Sequence, residues 1–295
     1  MALNKFDSDR RNPYISKDGK PMLKDSVVAF VDILGYKELV CQEQKNGRSQ
    51  ELLLELHQKL SQSFYQLDGL RDNGEPIFET VRPDQMDFHK IRTFSDNIVI
   101  GYPINQFKHM NQNYVKGMFE LDSLFSNLAL FQLHMVNQGL FVRGAITVGE
   151  LYIDDLIIFG QALIDAYNAE KEEARDPRII LTKSAEKMID EHDSYYQDQP
   201  KSNYMLDLYK DSDKKLFLNY LQSLLIGDYD EQFVQSLEDH KNMVEKKLSE
   251  YPSQPKIWSM YAWVANYHNY FCDQHFDDEY KVDMAQYQMQ PTRIK

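Results

Sequence analysis

Apolar residues in this chain come in two rhythms. Short unbroken runs read as buried strands: Val27 to Ile33, Leu140 to Val148, and Arg178 to Thr182, with a brief apolar stretch at Leu156 to Phe159. Longer stretches repeat every three or four residues and read as helices. Gln50 to Leu67 carries leucines at 53, 56, 60 and 67, and 115–138 carries Met118, Leu121, Leu124, Phe125, Leu128, Phe131 and Met135 on one stripe, with Gly139 as its stop. Ile91 to Ile100 reads as a hairpin with a Ser95-Asp96-Asn97 tip, residues that bond their own backbone in tight turns. A short helix follows the first strand over 36–43, and another runs from Gly160 to about Glu173. The expected order is β, α, β-hairpin, α, β, β, α, β.

That order predicts an α/β (α+β) fold with a largely antiparallel sheet flanked by helices. Residues 1–25 read as a polar lead and 68–87 as a loop rich in Asp, Gly and Pro. After about Lys183 the pattern changes. Asp190 to Asp213 is polar and Tyr-rich, and from Leu216 onward the chain reads as helical, ending in Pro255 to Phe276. The expected division is a catalytic domain over 1–220 and a helical C-terminal extension over 221–295.

With 295 residues, 42% hydrophobic and 13% aromatic, the chain can build a substantial core. Its net charge of −13 argues against a long nucleic-acid surface, which needs clustered Lys and Arg. Two cysteines, Cys41 and Cys272, cannot form a disulfide framework or a cysteine-based zinc site. The N-terminal segment lacks the apolar stretch of a signal peptide, and no apolar run approaches the ~20 residues that span a bilayer. The expectation is a soluble cytoplasmic protein with no membrane partner.

Against this background, two aspartates stand out. Asp32 ends a hydrophobic strand and Asp96 tips a hairpin. A carboxylate at such a strand end is costly unless compensated, and two brought together repel unless a cation or a shared proton lies between them. That pairing is the palm arrangement, in which divalent ions grip a nucleoside triphosphate. The plainer alternative is that Asp32 caps the following helix and Asp96 makes a turn.

Several neighbours admit two readings as well. Leu34-Gly35-Tyr36 opens a helix whose free N–H groups suit an anion, and Gly35 either lets a phosphate approach or simply turns the chain. Arg143, inside an apolar strand, wants a phosphate or an internal carboxylate, and so does Arg92 at the start of the hairpin. Gln161, Asp165 and Asn168 share a helix face that addresses a sugar or phosphate, or merely meets water. The aromatic stretch Ile257 to Phe271 reads as core, a stacking surface or a dimer contact. His268, Cys272 and His275 sit at helical spacing without a second cluster to complete a metal site.

Four segments in fixed order resemble the class III nucleotidyl cyclases. Phe30-Val31-Asp32-Ile33-Leu34-Gly35-Tyr36 is similar to the first metal-aspartate motif, and Arg92-Thr93-Phe94-Ser95-Asp96 to the hairpin bearing the second. Arg143-Gly144-Ala145-Ile146-Thr147-Val148-Gly149 is similar to the family's Arg-x-Gly-Ile-x-x-Gly strand, and Phe159 through Glu170 to its substrate helix. In wording the motifs look nearer to the bacterial pyrimidine cyclases of Pycsar antiphage defence.

The resemblance, which spans about residues 25–185, implies a ferredoxin-like palm domain and the conversion of UTP or CTP to cyclic UMP or cyclic CMP. It implies Mg2+ or Mn2+ as cofactor, two ions per site, held by Asp32, Asp96 and the Ile33 carbonyl. It implies a homodimer with its sites at the interface, and a product that acts on a separate effector. Catalytic residues would be Asp32, Asp96, Arg143 and Asn168, with Leu34, Gly35, Tyr36, Arg92, Thr93 and Asp165 at the substrate. Arg92 falls where adenylyl cyclases place a base-reading lysine. The chain departs from the adenylyl cyclases at Ile157, in place of a base-reading aspartate, at Ile164, in place of a ribose-positioning asparagine, and at Asn168, in place of a transition-state arginine. A cyclase-like sensor without chemistry and a purine cyclase are the alternatives. A diguanylate cyclase ranks below them, because the hairpin tip lacks Gly-Gly-Asp/Glu-Glu-Phe.

Overall fold

The computed structural model describes residues 12–67, 88–105, 115–195, 208–225 and 231–287. The loop expected over 68–87, residues 1–11 of the polar lead and residues 196–207 of the polar, Tyr-rich stretch lie outside these.

The first strand, β1 (Lys24–Ile33), is built on the apolar run Val27 to Val31 and lies in the interior of an eight-stranded sheet. Helices α1 (Tyr36–Lys45) and α2 (Ser49–Leu67) follow, then the hairpin β2 (Lys90–Phe94) and β3 (Asn97–Pro103), helix α3 (Met118–Asn137) and strand β4 (Val142–Ile153). These four strands run in the spatial order β2-β3-β1-β4, all antiparallel to their neighbours. Together with the intervening helices this is the ferredoxin-like β-α-β-β-α-β arrangement. A parallel pairing of β4 with β6 (Ile179–Leu181) extends the sheet beyond it.

Strand alternation sorts β1 between two cores. Val27, Ala29, Val31 and Ile33 join the larger cluster with the α2 and α3 side chains. Val28 and Phe30 face the smaller one, where Ala162 and Ala166 of helix α4 (Gln161–Glu172) lie against the strand with Tyr14 and Val99. Alanines let α4 approach closely, and the Phe30 and Tyr167 rings meet edge to face at 5.6 Å. Gly144 permits equally close strand packing, since a Cβ there would run into the Phe30 carbonyl oxygen. The short strand β5 (Ile158–Phe159) pairs back onto β4 and makes a hairpin ahead of α4.

The expected elements are present, with three corrections. Leu52, not Leu53, belongs to the buried stripe of α2 with Leu56 and Leu67, and Leu53 is 59% exposed. After Lys183, where the pattern changes and no element was expected before Leu216, the chain forms a helix, α5 (Lys183–Tyr195), whose Ala185, Met188, Ile189 and His192 are buried at helical spacing. Leu216–Leu218, expected as helix, is strand β8. It forms a hairpin with β7 (Leu208–Lys210), and Phe217 pairs with Ile180 to carry the sheet onward. A turn with Lys214 at φ 67° joins these two strands, whose residues are too few for a period to show.

The C-terminal region holds a 3-10 turn (Tyr220–Leu225), α6 (Glu231–Glu250) and α7 (Pro255–His275). Leu237, Val244, Val264 and Phe271 from these helices belong to the same apolar cluster as α3 and the sheet. The aromatic stretch of α7 is largely core: Phe217 stacks edge to face on Trp263 at 5.3 Å, and Tyr267 lies parallel to Trp263 at 5.6 Å. His268 and Cys272 are buried beside each other, whereas no metal-holding group of His, Cys, Asp or Glu occurs among the described residues. No described helix is long and apolar enough to cross a membrane.

Candidate active site

Three strand ends bring the expected residues together. Asp32, two places beyond Phe30, lies on the α4 side of the sheet by strand alternation. Its register partners are Asn97 on β3 and Arg143 on β4. The Ile33 N–H donates to the Asp96 carbonyl at 3.0 Å, which ties the hairpin tip to the end of β1. Asn97 Nδ2 donates to Asp96 Oδ1 at 3.1 Å, and Ser95 enters the turn at φ 59°. Asp96 therefore does make a turn, as the plainer reading had it. Asp32 does not cap α1, since no side chain caps that helix.

The bends that follow are equally local. The Leu34 N–H donates to the Phe141 carbonyl at 2.9 Å, and Gly35 then turns the chain into α1 at φ 76°. A Cβ at Gly35 would meet nothing within 4 Å. The glycine is required by its left-handed backbone, not by close packing. Tyr36 is the first residue of α1, so the unpaired N–H groups of that helix open beside the end of β1.

Electrostatics at this point are unbalanced. Arg143 Nη2 lies 3.6 Å from Asp32 Oδ2, and its Nε donates to Glu170 Oε1 at 2.5 Å. Glu170, in the last turn of α4, is 5% exposed. Two carboxylates, Asp32 and Glu170, thus meet one guanidinium, and the Asp96 charge acts on Asp32 as well. Burial, then the Glu170 charge, pushes the Asp32 carboxyl up to about 6, with Asp96 adding to the rise and Arg143 opposing it. A hard cation would relieve this excess, and oxygen-only donors suit Mg2+ or Mn2+. No three His, Cys, Asp or Glu side chains form a ready cage among the described residues. The protein would supply a pair of carboxylates, with other ligands from backbone, water and phosphate.

The remaining expected residues lie around this centre without joining it. Arg92 Nη1 is 3.6 Å from Asp155 Oδ1, an acid in the β4–β5 turn, and Thr93 is exposed on the same edge strand. Asp165 accepts from Gln161 Nε2 at 2.9 Å, and both Asp165 and Asn168 sit on the exposed face of α4, opposite its buried alanines. Within one chain, α4 contributes Glu170 to the Asp32 centre, while Asp165 and Asn168 point to solvent.

Two groups escaped the sequence reading. Glu170 sits four residues after Ala166, on the stripe defined by Ala162, Ala166 and Ala169, and that spacing marks it as buried. Lys90, 8% exposed, reaches Asp155 Oδ1 at 3.1 Å and shares that acid with Arg92. It lies two residues before Arg92, hence on the same strand face.

The β4–β5 hairpin and the outer side of α4 carry an exposed apolar rim. Leu156 is 86% exposed, and Ile157, Phe159, Ile164 and Tyr167 add to it from the β4–β5 hairpin and α4. Asp154 braces the hairpin tip by accepting from the Leu156 and Ile157 N–H groups at 2.8 and 2.7 Å.

No protein-family model matches the chain, and no curated protein matches it. Among solved structures it is similar to a class III adenylyl cyclase-like ATP-binding protein from Pseudomonas aeruginosa, at 12% sequence identity and a TM-score of 0.41. The likeness covers 77% of this chain and 45% of the other, so the chain spans less than half the length of that protein.

Proposed function

We propose that the protein is a nucleotidyl cyclase that converts a pyrimidine nucleoside triphosphate, UTP or CTP, to its 3′,5′-cyclic monophosphate and pyrophosphate. One observation carries the reading. Asp32 and Asp96 converge at adjoining strand ends of a ferredoxin-like sheet, in carboxylate excess, with Arg143 beside them. The preference for a pyrimidine rests on the wording of the four motifs alone.

When bound, Mg2+ or Mn2+, two ions per site, supplies Lewis-acid activation of the ribose 3′-hydroxyl and neutralises triphosphate charge. Asp32, Asp96 and the Ile33 carbonyl would hold it. Arg143 presents terminal N–H groups to phosphate oxygens, and the first N–H groups of α1, after Leu34, Gly35 and Tyr36, add partial positive charge. Arg92 and Thr93, at the edge strand, address the base. Catalysis is then positioning and charge stabilisation, with the 3′-oxygen in line with the α-phosphorus.

Asn168 donates a hydrogen bond without neutralising charge, and Asp165 accepts one. Both face away from Asp32 in their own chain, so they serve a site only in a second copy. A homodimer with sites at its interface supplies that copy, and the apolar rim of Leu156, Ile157, Phe159 and Ile164 supports it. In this reading the enzyme works in the cytoplasm, and its product acts on a separate effector in antiphage defence.

One observation favours a second reading, that of a nucleotide sensor without turnover: Arg143 is already engaged by two internal acids, and no arginine stands at 168. Purified protein incubated with each of the four ribonucleoside triphosphates and Mn2+, with products resolved by chromatography, separates the readings. Cyclic UMP or cyclic CMP is expected from the wild type and none from Asp32→Ala or Asp96→Ala, both still dimeric. Cyclic AMP or cyclic GMP would make it a purine cyclase, and binding without product would make it a sensor.

A further inference from the structure

Arg143 divides itself unequally between two acids. Its Nε donates to Glu170 at 2.5 Å, a charge-assisted hydrogen bond to a carboxylate that is almost wholly buried. Its Nη2 stands 3.6 Å from Asp32, too far for a hydrogen bond. Anchorage through Nε leaves the two terminal nitrogens, with four N–H donors between them, to face the strand ends. A guanidinium held in this way presents the fork that matches phosphate oxygens.

Remove the Glu170 anchor and the nearest anion to Arg143 is Asp32. In a half-buried setting the guanidinium would close on that carboxylate and occupy its oxygens. Glu170 therefore has a use beyond satisfying a buried arginine. It comes from α4, which is pinned to β1 by its alanines and by the Tyr167–Phe30 ring contact, so its carboxylate stands on rigid support.

We infer that Glu170 is a positioning residue: it holds Arg143 by Nε, aims the guanidinium fork at the triphosphate and keeps it off Asp32. The inference rests on the proposed triphosphate site, and only Glu170 is new to it.

The test uses full-length protein with Mn2+ and inorganic tripolyphosphate as the probe, read by titration calorimetry, with UTP and CTP kinetics beside it. Glu170→Gln keeps an oxygen that accepts from Nε and should bind tripolyphosphate within about twofold of wild type. Glu170→Ala loses the anchor and should bind about tenfold to a hundredfold more weakly, the weight of one charge-assisted hydrogen bond. Its KM for the nucleotide should rise by a similar factor, beyond any fall in kcat. In an Arg143→Ala background, Glu170→Ala should add nothing, because Glu170 acts through Arg143. Should Glu170→Ala melt below the assay temperature, Glu170→Asp, one methylene short of Nε, replaces it with the same expectation.

Equal tripolyphosphate binding by wild type and Glu170→Ala, additive losses in the double variant, or a wild type blind to tripolyphosphate would each overturn the inference. The two claims separate cleanly. If no cyclic nucleotide forms but the Gln and Ala variants still diverge in tripolyphosphate binding, the cyclase reading falls and the role of Glu170 stands. If product forms and the variants bind alike, the reverse holds.

Discussion

At the scale of single residues, the candidate site is a place where the fold accepts instability. Burial, and after it the neighbouring carboxylates, push the Asp32 carboxyl up to about 6, well above an ordinary aspartate. An acid whose folded value lies above its unfolded one favours the folded state fully at low pH and loses that advantage as pH rises towards 6. At neutral pH the ionised Asp32 is therefore a burden on the metal-free protein. Asp32→Asn should raise stability at pH 7.5 by on the order of 1–2 kcal/mol, after allowance for solvent screening, and by nothing near pH 4. Thermal melts of both proteins across that range check this. A metal-free Asp32→Asn that melts below wild type at pH 7.5 would mean the carboxylate is well compensated without a cation. Addition of Mn2+ should raise the wild-type midpoint and leave Asp32→Asn almost unmoved. Gly144 marks the opposite situation, a residue fixed by packing alone. Gly144→Ala forces a methyl group against the Phe30 carbonyl oxygen and should cost about 1–3 kcal/mol in urea unfolding.

Residue placement was readable where motif and strand end coincide, as at Asp32 and Asp96. It was unreadable where partner choice decides the role. Nothing local tells whether Arg143 meets phosphate or carboxylate, and the answer came from α4 folding back to bring Glu170, 27 residues away, to its Nε.

At the scale of elements, the C-terminal helices are joined by a chain of polar contacts with a single consistent proton arrangement. Tyr280 offers a carbonyl, which only accepts, so His268 Nε2 must donate to it at 2.9 Å. His268 Nδ1 then accepts from His240 Nδ1 at 3.0 Å, and His240 Nε2 accepts from the Tyr220 hydroxyl at 2.7 Å. Each neutral ring thus has one donor and one acceptor, both used. A further proton on His268 Nδ1 sets two N–H groups face to face, and one on His240 Nε2 displaces the hydrogen bond that the Tyr220 hydroxyl donates. Cys272 is the other neighbour of His268, and the nearby charge is the cation Lys241, so no carboxylate rewards protonation. Burial holds His268 down at about 4 and His240 well below its usual value. Lowered histidines stabilise the fold above 6.5 and withdraw that support as pH falls towards their folded values. From His268 alone, the α6–α7 region should lose about 2 kcal/mol between pH 7.5 and pH 5. Hydrogen exchange of α7 amides at the two pH values reads it, and protection unchanged at pH 5 would refute the arrangement. The opposite pH sign at Asp32 makes the local measurement preferable to a global melt.

Long apolar periods made elements such as β1 and α3 legible in advance, since ten to twenty residues suffice to show a rhythm. The hairpin of β7 and β8 was not legible, because three-residue strands carry no period and are defined by pairing with each other and, through Phe217, with β6. Helix α5 escaped for a different reason. Its four inward residues include His192, an imidazole whose Nε2 lies 2.8 Å from the Lys116 carbonyl, so apolar counting missed the stripe.

At the scale of the whole molecule, the proposed site draws its residues from two copies of the chain. Arg143, Asp32 and Asp96 gather within one copy, whereas Asn168 stands on the outer face of α4, next to an apolar rim that water leaves unsatisfied. If the site is completed by a second copy, Leu156→Asp should shift the protein to monomer in sedimentation and remove turnover, while the Asp32 centre of each monomer stays intact. A mixing experiment is more exacting. Asp32→Ala and Asn168→Ala chains should each be inactive or nearly so as homodimers. In their heterodimer, one site inherits both lesions and the other neither. Random reassembly makes half the dimers mixed, each with one sound site out of two, so equimolar mixing should restore about a quarter of wild-type turnover. Recovery at that level requires Asp32 and Asn168 to come from different chains. If both residues serve the same site within one chain, every site in the mixture carries a lesion and activity stays at the level of the parents.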